Sequence, residues 1–410
     1  MQLTQAQQDS LLLDKPILVE SCAGSGKTTM LVQRILKILR ENPDIPLDTI
    51  LAITYTNKAA NEMLQRLHEA ALAEGTDSPL YHRVVSQLGR SSIGTIHSFC
   101  FRIAMAYPFA FGCSPMAQIM DESQRQWAIQ KSLDHVMDTP NPSESLSQLL
   151  FYWSPRQCRR HLRTCFDNAD LALKWLADPV GLAVPTAPVT EVEDDEAATV
   201  IAETLRRTLY GVFEKCWTHY TSLKTRNEWL DYDDLIQGTE RMLATNPTIC
   251  NELQTRYRFI LVDEFQDTDS GQWAIIQYLC KYDGHDSKLF LVGDRNQSIY
   301  SFRGTHPTLF KDIRQSFSQS DARVIVANDN FRSSAALLSF LNPLFQTLFD
   351  DASEPFHPLI AHKPIESGSG PVFAVFPSET PSTMVDQAHF MAQWILTNQT
   401  AHPDRDWSDY

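Results

Sequence analysis

Short runs of consecutive apolar residues alternate along this chain with stretches whose apolar residues have helical spacing. Five of the runs have the length of strands that are buried on both faces: Ile17–Val19, Ile50–Thr54, Phe259–Val262, Leu289–Val292 and Val324–Val326. Helical periodicity follows the first run, where Leu31, Ile35, Ile38 and Leu39 share one face. Strands that alternate with helices predict an α/β fold with a mostly parallel sheet, whose ligands bind at the carboxyl ends of the strands.

The alternation of strand-like and helical stretches stops between residues 105 and 225. This region has no strand-like apolar run, and prolines separate its helical stretches. We therefore predict one α/β lobe in two parts, residues 1–104 and 226–322, interrupted by a helical insertion subdomain at 105–225. A second unit begins at residue 323. Too few strands follow to complete another α/β domain, so we expect sequence outside this chain to complete residues 323–410.

Composition narrows the class of protein. A chain of 410 residues is longer than a domain with a single hydrophobic core usually is, so we expect two or three domains. A hydrophobic content of 43% is typical of a globular protein. No apolar run approaches the roughly 20 residues that cross a bilayer, and the first residues lack the layout of a signal peptide. The eight cysteines form no C-x-x-C pair, which favours reduced thiols and a cytoplasmic location. A net charge of -15 argues against bulk coating of nucleic acid but permits a local groove.

The first strand leads directly into a turn typical of phosphate-binding loops: Ser21-Cys22-Ala23-Gly24-Ser25-Gly26-Lys27-Thr28-Thr29. Backbone N–H groups at the start of the following helix would cradle anionic oxygens, and Gly24 and Gly26 let the backbone approach closely. Lys27 reaches the β- and γ-phosphates, and Thr28 offers a hydroxyl to Mg²⁺. Ser21 replaces the first glycine of the general pattern, so an ordinary glycine-rich turn stays open as the alternative for this segment alone.

Two further strand ends carry polar residues that suit phosphate chemistry. Asp263 and Glu264 follow one strand, where Asp263 can hold Mg²⁺ and Glu264 can polarise the attacking water. Solvated carboxylates are common at strand ends, so the pair alone is weak evidence for a site. The phosphate loop two strands away favours a catalytic role for it. Gln297 follows the next strand and is placed to sense a γ-phosphate.

Aromatic and polar side chains near the same strand ends indicate a track for single-stranded nucleic acid. Tyr300 and Phe302 alternate on a predicted extended segment, and this spacing would present both rings to bases. The alternative interpretation is that both rings are buried in the hydrophobic core. Tyr55-Thr56-Asn57-Lys58 begins the helix after the second strand and offers N–H groups, hydroxyls and an amine to backbone phosphates.

Gly94-Thr95-Ile96-His97-Ser98-Phe99 has the same character. His97 alone would more often be a structural histidine, but its hydroxyl neighbours Thr95 and Ser98 favour a phosphate or base contact. The histidines lack the partners that a nucleophilic triad requires, so no such site is predicted.

In this order the segments resemble the motifs of UvrD/Rep-like superfamily 1 DNA helicases, including the RecB- and AddA-type enzymes. The resemblance extends to Leu-Asp-Tyr-Asp-Asp-Leu at 230–235 and to Asn330-Phe331-Arg332-Ser333-Ser334, and it covers the family's N-terminal ATP-binding part. It implies a RecA-like P-loop NTPase lobe, a helical subdomain over the DNA and the start of a second RecA-like lobe. ATP and Mg²⁺ are the implied cofactors, and single-stranded DNA or a single-strand/duplex junction is the implied partner.

The same resemblance assigns roles to residues. Gln7 would read adenine, Phe331 would stack on it, and Arg332 would reach the γ-phosphate from the second lobe. Arg303 joins the predicted DNA contacts. The implied catalytic set is Lys27, Asp263, Glu264, Gln297 and Arg332, and residues 21–29 would bind the nucleotide. The implied function is an ATP-driven helicase or translocase that moves 3′ to 5′ in repair or recombination.

Several features depart from the family pattern. Thr29 stands where many UvrD-like members have an arginine beside adenine, and Phe302 stands where UvrD has a tryptophan. The family's last two motifs have no counterpart here, so we expect the isolated chain to bind ATP but to unwind DNA poorly or not at all. Two other interpretations stay open: a motor completed by downstream sequence or by a nuclease, repair or phage-defence partner, and a regulatory module that binds DNA or ATP without translocating.

Overall fold

The chain divides into two compact units. A computed structural model describes residues 3–140, 142–169, 172–174, 195–280, 288–298, 307–349, 356–363, 392–397 and 400. The larger unit comprises residues 1–21 and 26–327, and the smaller comprises residues 22–25 and 328–410.

A parallel sheet of six strands forms the centre of the larger unit. The strands of this unit are β1 (Ile17–Ser21), β2 (Ile50–Thr54), β3 (Ser92–Thr95), β4 (Gln118–Ile119), β5 (Trp229–Leu230), β6 (Phe259–Val262), β7 (Leu289–Gly293) and β8 (Arg323–Ala327). The sheet order is β3-β2-β6-β7-β1-β8, and every neighbouring pair is parallel. The carboxyl ends of all six strands therefore meet at one edge, and the predicted α/β fold is confirmed.

All five strands predicted from apolar runs are present. The sheet also contains β3, whose four residues include one large apolar side chain, Ile93, and which is held by pairing with β2. The edge strand β8 pairs with β1 from Ile17–Arg323 to Ser21–Ala327. The first sheet therefore continues to Ala327, past the predicted start of the second unit at residue 323.

Helices pack on both faces of this sheet. The helices of the larger unit whose bounds lie within the described residues are α1 (Gln5–Asp9), α2 (Lys27–Glu41), α3 (Asn57–Leu72), α4 (Pro79–Gln87), α5 (Ile96–Ala106), α6 (Pro108–Phe111), α7 (Glu122–Met137), α8 (Glu144–Tyr152), α9 (Pro155–Asp167), α10 (Asp195–Arg226), α11 (Tyr232–Thr245), α12 (Pro247–Arg256), α13 (Ser270–Cys280) and α14 (Pro307–Gln319). Alternate strand residues enter two separate cores, because successive side chains on a strand point to opposite faces. One core includes α2, α3 and α4, and the other includes α5 and α11 to α14.

The helical insertion has a hydrophobic core of its own. Buried residues of α7, α8, α9 and α10 form it, among them Ile129, Leu149, Leu162 and Phe213. Strands β4 and β5 pair in parallel where the chain enters and leaves this core. The helices of this region therefore pack around an apolar core of their own, and the subdomain bounds 105–225 stay a prediction.

In the smaller unit, β9 (Asp329–Ser334) pairs in parallel with β10 (Ile360–Lys363), and α15 (Ala335–Phe349) follows β9. Both strands are rich in polar residues, so no apolar run marks them in the sequence. Among the described residues, no helix combines the length and apolar character that spanning a membrane requires.

Candidate nucleotide and nucleic-acid sites

The phosphate-loop turn ends in a glycine with a left-handed backbone. Gly26 has φ +83° and is the N-cap of α2, which begins at Lys27. A Cβ atom at Gly26 would lie 3.2 Å from Nε2 of Gln7, so the predicted adenine reader lies beside the start of α2. Ser21 donates its hydroxyl to the carbonyl oxygen of Gly293 at 3.2 Å. The hydroxyl that replaces the expected glycine is therefore satisfied by the end of β7.

The segment that carries Gln7 is held in place by local hydrogen bonds. Oε1 of Gln7 accepts from the backbone N–H of Thr4 at 3.1 Å in a capping box that starts α1. The buried Arg34 of α2 donates to the carbonyl oxygens of Ser10 and Leu12 at 2.5 and 2.8 Å. Burial lowers the pKa of Arg34 to about 9. The connection between α1 and α2 is therefore fixed by a buried guanidinium rather than by apolar packing alone.

Lys27 and Glu264 form a partly buried ion pair, with Nζ 2.8 Å from Oε2. Glu264 has φ +49°, a left-handed conformation that costs a residue with a side chain about 1 kcal/mol or more. Among the described residues, two donors hold its carboxylate: Lys27, and Nε2 of Gln266, which donates to the same oxygen at 2.8 Å. Neither contact uses Oε1. The carboxylate is therefore fixed at the end of β6 with its second oxygen available to a water molecule.

Negative charge is concentrated around Lys27. Burial, and then the charge of Glu264, raise the pKa of Asp263 to about 6 and that of Asp267 to about 6. Burial also raises the pKa of Asp294, and the charge of Lys27 opposes the shift in all three pKa values. Such oxygen donors fit Mg²⁺. No group of three or more His, Cys, Asp or Glu among the described residues could hold a metal, so Mg²⁺ here would need phosphate and water oxygens as well.

Gln266 links the end of β6 to the end of β7. Its side chain is buried, and its Oε1 accepts from the backbone N–H of Asp294 at 2.9 Å. Oδ2 of Asp294 accepts from Nε2 of Gln297 at 2.6 Å. A Cβ atom at Gly293 would lie 2.7 Å from Oε1 of Gln266, so this contact needs a residue without a side chain there. A continuous hydrogen-bonded path therefore joins Glu264 to Gln297.

Gln266→Leu is expected to lower ATP turnover about tenfold, because it removes both hydrogen bonds that connect Glu264 to Asp294. The Michaelis constant for ATP should change little, since the ion pair between Lys27 and Glu264 does not use a hydrogen bond from Gln266. Steady-state phosphate release against ATP concentration separates the two effects. Gln65→Leu, an exposed position on α3, serves as the matched control, and a loss seen mainly in the Michaelis constant would argue against this role.

Within the smaller unit, strand β9 contacts residues of the phosphate loop. Nδ2 of Asn330 donates to the carbonyl oxygen of Ala23 at 2.8 Å, and the backbone N–H of Phe331 donates to that of Gly24 at 2.9 Å. Gly24 has φ +79°, and a Cβ atom there would lie 2.7 Å from Cβ of Arg332. Glycine at residue 24 is therefore required twice, by its backbone angle and by the close approach of β9.

Phe331 and Arg332, the two residues expected to act from the second lobe, lie on β9. Phe331 stacks on His362 of β10, with ring centroids 4.5 Å apart, and Nε2 of His362 lies 2.7 Å from Oδ1 of Asp329. Arg332 is exposed. The roles of both residues toward a nucleotide stay predictions.

A cavity of about 420 Å³ lies at the carboxyl ends of β2, β3 and β6. Its lining includes Asp263 and Glu264, so the acidic end of β6 borders both the phosphate loop and the cavity. The residues predicted to contact DNA that line it are Tyr55, Thr56, Asn57, Thr95, His97 and Ser98.

Two helices begin at this cavity, each capped by a threonine. Oγ1 of Thr56 accepts from the backbone N–H of Ala59 at 3.1 Å, which starts α3. Oγ1 of Thr95 accepts from the backbone N–H of Ser98 at 3.2 Å, which starts α5. The two N-termini bring partial positive charge to a cavity otherwise rich in carboxylates.

Two aromatic rings meet at the cavity wall. His97 lies against Tyr232, with ring centroids 4.7 Å apart, and Tyr232 is 57% exposed. Burial lowers the pKa of His97, although the charge of Asp269 opposes the shift. A neutral imidazole suits a stacking or hydrogen-bonding contact better than an ionic contact with phosphate.

The model of the UvrD/REP helicase N-terminal domain matches residues 3–318 of this chain. The chain belongs to this family.

Named DNA helicases align with most of this chain. It is 29% identical over 341 residues to ATP-dependent DNA helicase UvrD1 of Mycobacterium leprae, covering 82% of this chain and 38% of the relative. It is 30% identical over 336 residues to UvrD1 of Mycobacterium tuberculosis, covering 80% and 37%. It is 27% identical over 331 residues to ATP-dependent DNA helicase PcrA of Staphylococcus aureus, covering 81% and 38%. The chain therefore spans less than half the length of the curated relatives it matches.

The remaining residues predicted to bind nucleotide or DNA in this UvrD/REP-family chain either do not line the cavity or lie outside the described residues. Lys58 is exposed in the first turn of α3 and does not line the cavity. Tyr300, Phe302 and Arg303 lie outside the described residues. Thr28 and Thr29 follow Lys27 in the first turn of α2. The roles of all these residues stay predictions.

Three residues that no sequence pattern assigned to a site also line the cavity: Tyr232, Gln272 and Thr268. The sequence did contain a signal for Tyr232. It is an aromatic residue at the first position of a helix, and its neighbours Asp231 and Asp233 are acidic, which favours an exposed ring. Gln272 and Thr268 carried no comparable signal. They reach the cavity because α13 begins just after the acidic strand end.

Proposed function

We propose that this chain supplies the ATP-binding part of an ATP-dependent DNA helicase or single-stranded DNA translocase, which moves 3′ to 5′ in DNA repair or recombination in the cytosol. One observation carries the proposal: Glu264 pairs with Lys27, and with Asp263 it lines the cavity that holds Tyr232 and His97. A nucleotide at Lys27 and a nucleic acid in the cavity would act on the same strand end. The relatives are named ATP-dependent DNA helicases, which supports this interpretation.

Hydrolysis would proceed by positioning and charge stabilisation. Lys27 would exchange Glu264 for the β- and γ-phosphates, and the released carboxylate would orient a water molecule and accept its proton. Thr28 and Asp263 would hold Mg²⁺, which supplies charge neutralisation on the phosphate oxygens. The raised pKa of Asp263 fits this role, because a buried carboxylate beside the charge of Glu264 gains from a bound cation.

Gln297 and Arg332 would respond to the γ-phosphate. Gln297 is hydrogen-bonded through Asp294 and Gln266 to Glu264, so a change at any of them would reach the others. Arg332 would neutralise charge on the transferring group, and an arginine finger is worth about 10³-fold or more in turnover.

The chemistry of the cavity favours a base over a phosphate within it. Asp263, Glu264 and Asp267 are among the described lining residues, and none of those is Lys or Arg. Tyr232 offers an exposed ring, and base–aromatic stacking tolerates any sequence. Backbone phosphates would run along the N-termini of α3 and α5, where Lys58 adds positive charge.

Tyr232→Ala is expected to weaken binding of a fluorescein-labelled oligothymidylate about tenfold, because one base–aromatic contact is worth roughly 1–3 kcal/mol. Fluorescence anisotropy at fixed salt measures the affinity. Tyr232→Phe keeps the ring and should bind nearly as tightly as the unchanged chain. Equal affinity of all three proteins would contradict the proposed place of the base.

A further inference from the structure

A buried lysine lies at the junction between the helical insertion and the sheet. Lys224, in the last turn of α10, is 4% exposed. Its Nζ lies 2.6 Å from Oδ2 of Asp231 and 2.8 Å from Oδ2 of Asp234. The mechanism above uses none of these three residues. Asp231 is buried as well, whereas the side chain of Asp234 is 31% exposed. Burying an ammonium group and a carboxylate is costly unless both are paired.

Both carboxylates also build the start of α11. Oδ1 of Asp231 accepts from the backbone N–H of Asp234, and Oδ2 of Asp234 accepts from the backbone N–H of Asp231, both at 2.9 Å. This reciprocal capping box fixes the first turn of the helix. Lys224 therefore bonds the same two side chains that determine where α11 begins.

The lysine is enclosed by aromatic rings of its own helix. Its Nζ lies 4.8 Å from the ring centre of Tyr220 and 5.6 Å from that of Trp217. The hydroxyl of Tyr220 donates to Oδ2 of Asp231 at 3.0 Å. Burial lowers the pKa of Lys224, but the two aspartates outweigh it and raise the pKa overall. The ammonium group is therefore charged at neutral pH and held from both sides.

The turn that this cluster fixes carries Tyr232. That ring lies between Asp231 and Asp234 in sequence, is 57% exposed and lines the cavity against His97. Because the ring is so exposed, it contributes little to the core. The charged cluster of Lys224, Asp231 and Asp234 thus holds in place a helix start whose first residue lines the cavity.

We propose that Lys224 is a positioning residue that holds Tyr232 at the cavity, so that the helical insertion sets the affinity of the cavity for single-stranded nucleic acid. The inference rests on the proposed function, because it takes the cavity to be the nucleic-acid site. A movement of α10 would shift the start of α11 through the ion pairs of Lys224, and with it the ring of Tyr232 that contacts the bound nucleic acid. The insertion would then regulate binding without touching the nucleic acid at this cavity.

Lys224→Met tests the inference, because it keeps the aliphatic stem and removes the charge. Binding of a fluorescein-labelled oligothymidylate of about 16 nucleotides should weaken roughly fivefold or more, up to the loss caused by Tyr232→Ala. The double variant should bind no more weakly than Tyr232→Ala alone, since Lys224 acts through that ring. Hydrolysis of ATP without nucleic acid should be unchanged. Lys215→Met, an exposed lysine on the same helix, is the matched control and should bind normally.

Hydrogen exchange distinguishes positioning from general destabilisation. In Lys224→Met, amides in the first turn of α11 should exchange faster, whereas those of α2 and β6 should keep their rates. Should Lys224→Met fail to fold, Asp234→Asn removes one charge while keeping an acceptor for the capping box. It should weaken oligonucleotide binding in the same direction.

Three results would overturn the inference. Losses that multiply in the double variant would mean that Lys224 acts by another route, and faster exchange throughout the larger unit would mean a purely structural role. Normal binding by Lys224→Met, while Tyr232→Ala binds weakly, would reject the inference and leave the proposed function intact. Failure of the unchanged chain to bind the oligonucleotide would reject both.

Discussion

Glu264→Gln is expected to keep ATP binding and to lower ATP turnover by about 10²-fold or more, the range that a general base usually contributes. The substitution keeps the size of the side chain and an oxygen that can accept from Lys27 and Gln266. It removes the negative charge that would orient water and accept its proton. Phosphate release measures turnover, and a fluorescent ATP analogue measures binding.

The matched control for this prediction is Glu62→Gln, which removes an exposed carboxylate that pairs with Arg66 on α3. That protein should hydrolyse ATP at the unchanged rate. Undiminished turnover in Glu264→Gln would place the catalytic base elsewhere. Loss of ATP binding would instead show that the charge of Glu264 is needed to hold the site together.

Lys27→Met is expected to weaken ATP binding roughly 10- to 100-fold, because a charge-assisted hydrogen bond is worth about 1.5–3 kcal/mol. Turnover should fall further, since charge on the transferring phosphoryl group would be left without a lysine. The variant should still fold, because the ion pair it removes is only partly buried, with side chains 11% and 33% exposed. Isothermal titration with MgATP and phosphate release measure the two effects.

Lys37→Met is the control for that change, because Lys37 lies on the same helix and pairs with Glu41 near its end. It should bind ATP normally. If Lys27→Met bound ATP as tightly as the unchanged chain, the phosphate loop would not hold the triphosphate as proposed.

Five strands of the central sheet were predictable because each contains an unbroken apolar run, and all of these except the half-buried edge strand β8 are mostly buried. Strand β3 was missed because Ser92 and Gly94 interrupt its apolar pattern, and its pairing with β2 depends on residues distant in sequence. Strand β9 was missed for a related reason. Five of its six residues at 329–334 are polar, and hydrogen bonds to the phosphate loop and to β10 stabilise it.

The sequence also placed Lys27 and the acidic pair at one sheet edge, and in the structure Lys27 contacts Glu264 directly. The hydrogen bonds of Gln266 could not be predicted, because they join two strand ends with no pattern of their own. The same holds for Lys224, whose spacing within a long helix is that of an ordinary surface lysine. Only the tertiary structure brings it to the two aspartates that cap α11.

The most direct test of the account is phosphate release by this chain with and without single-stranded oligothymidylate. We expect the oligonucleotide to accelerate release several-fold, because nucleotide and nucleic acid would share the strand end that carries Asp263 and Glu264. Tyr232→Ala should respond only at higher oligonucleotide concentration, and Lys27→Met should not respond. Release that is independent of the oligonucleotide, or that persists in Lys27→Met, would contradict the coupling on which the account depends.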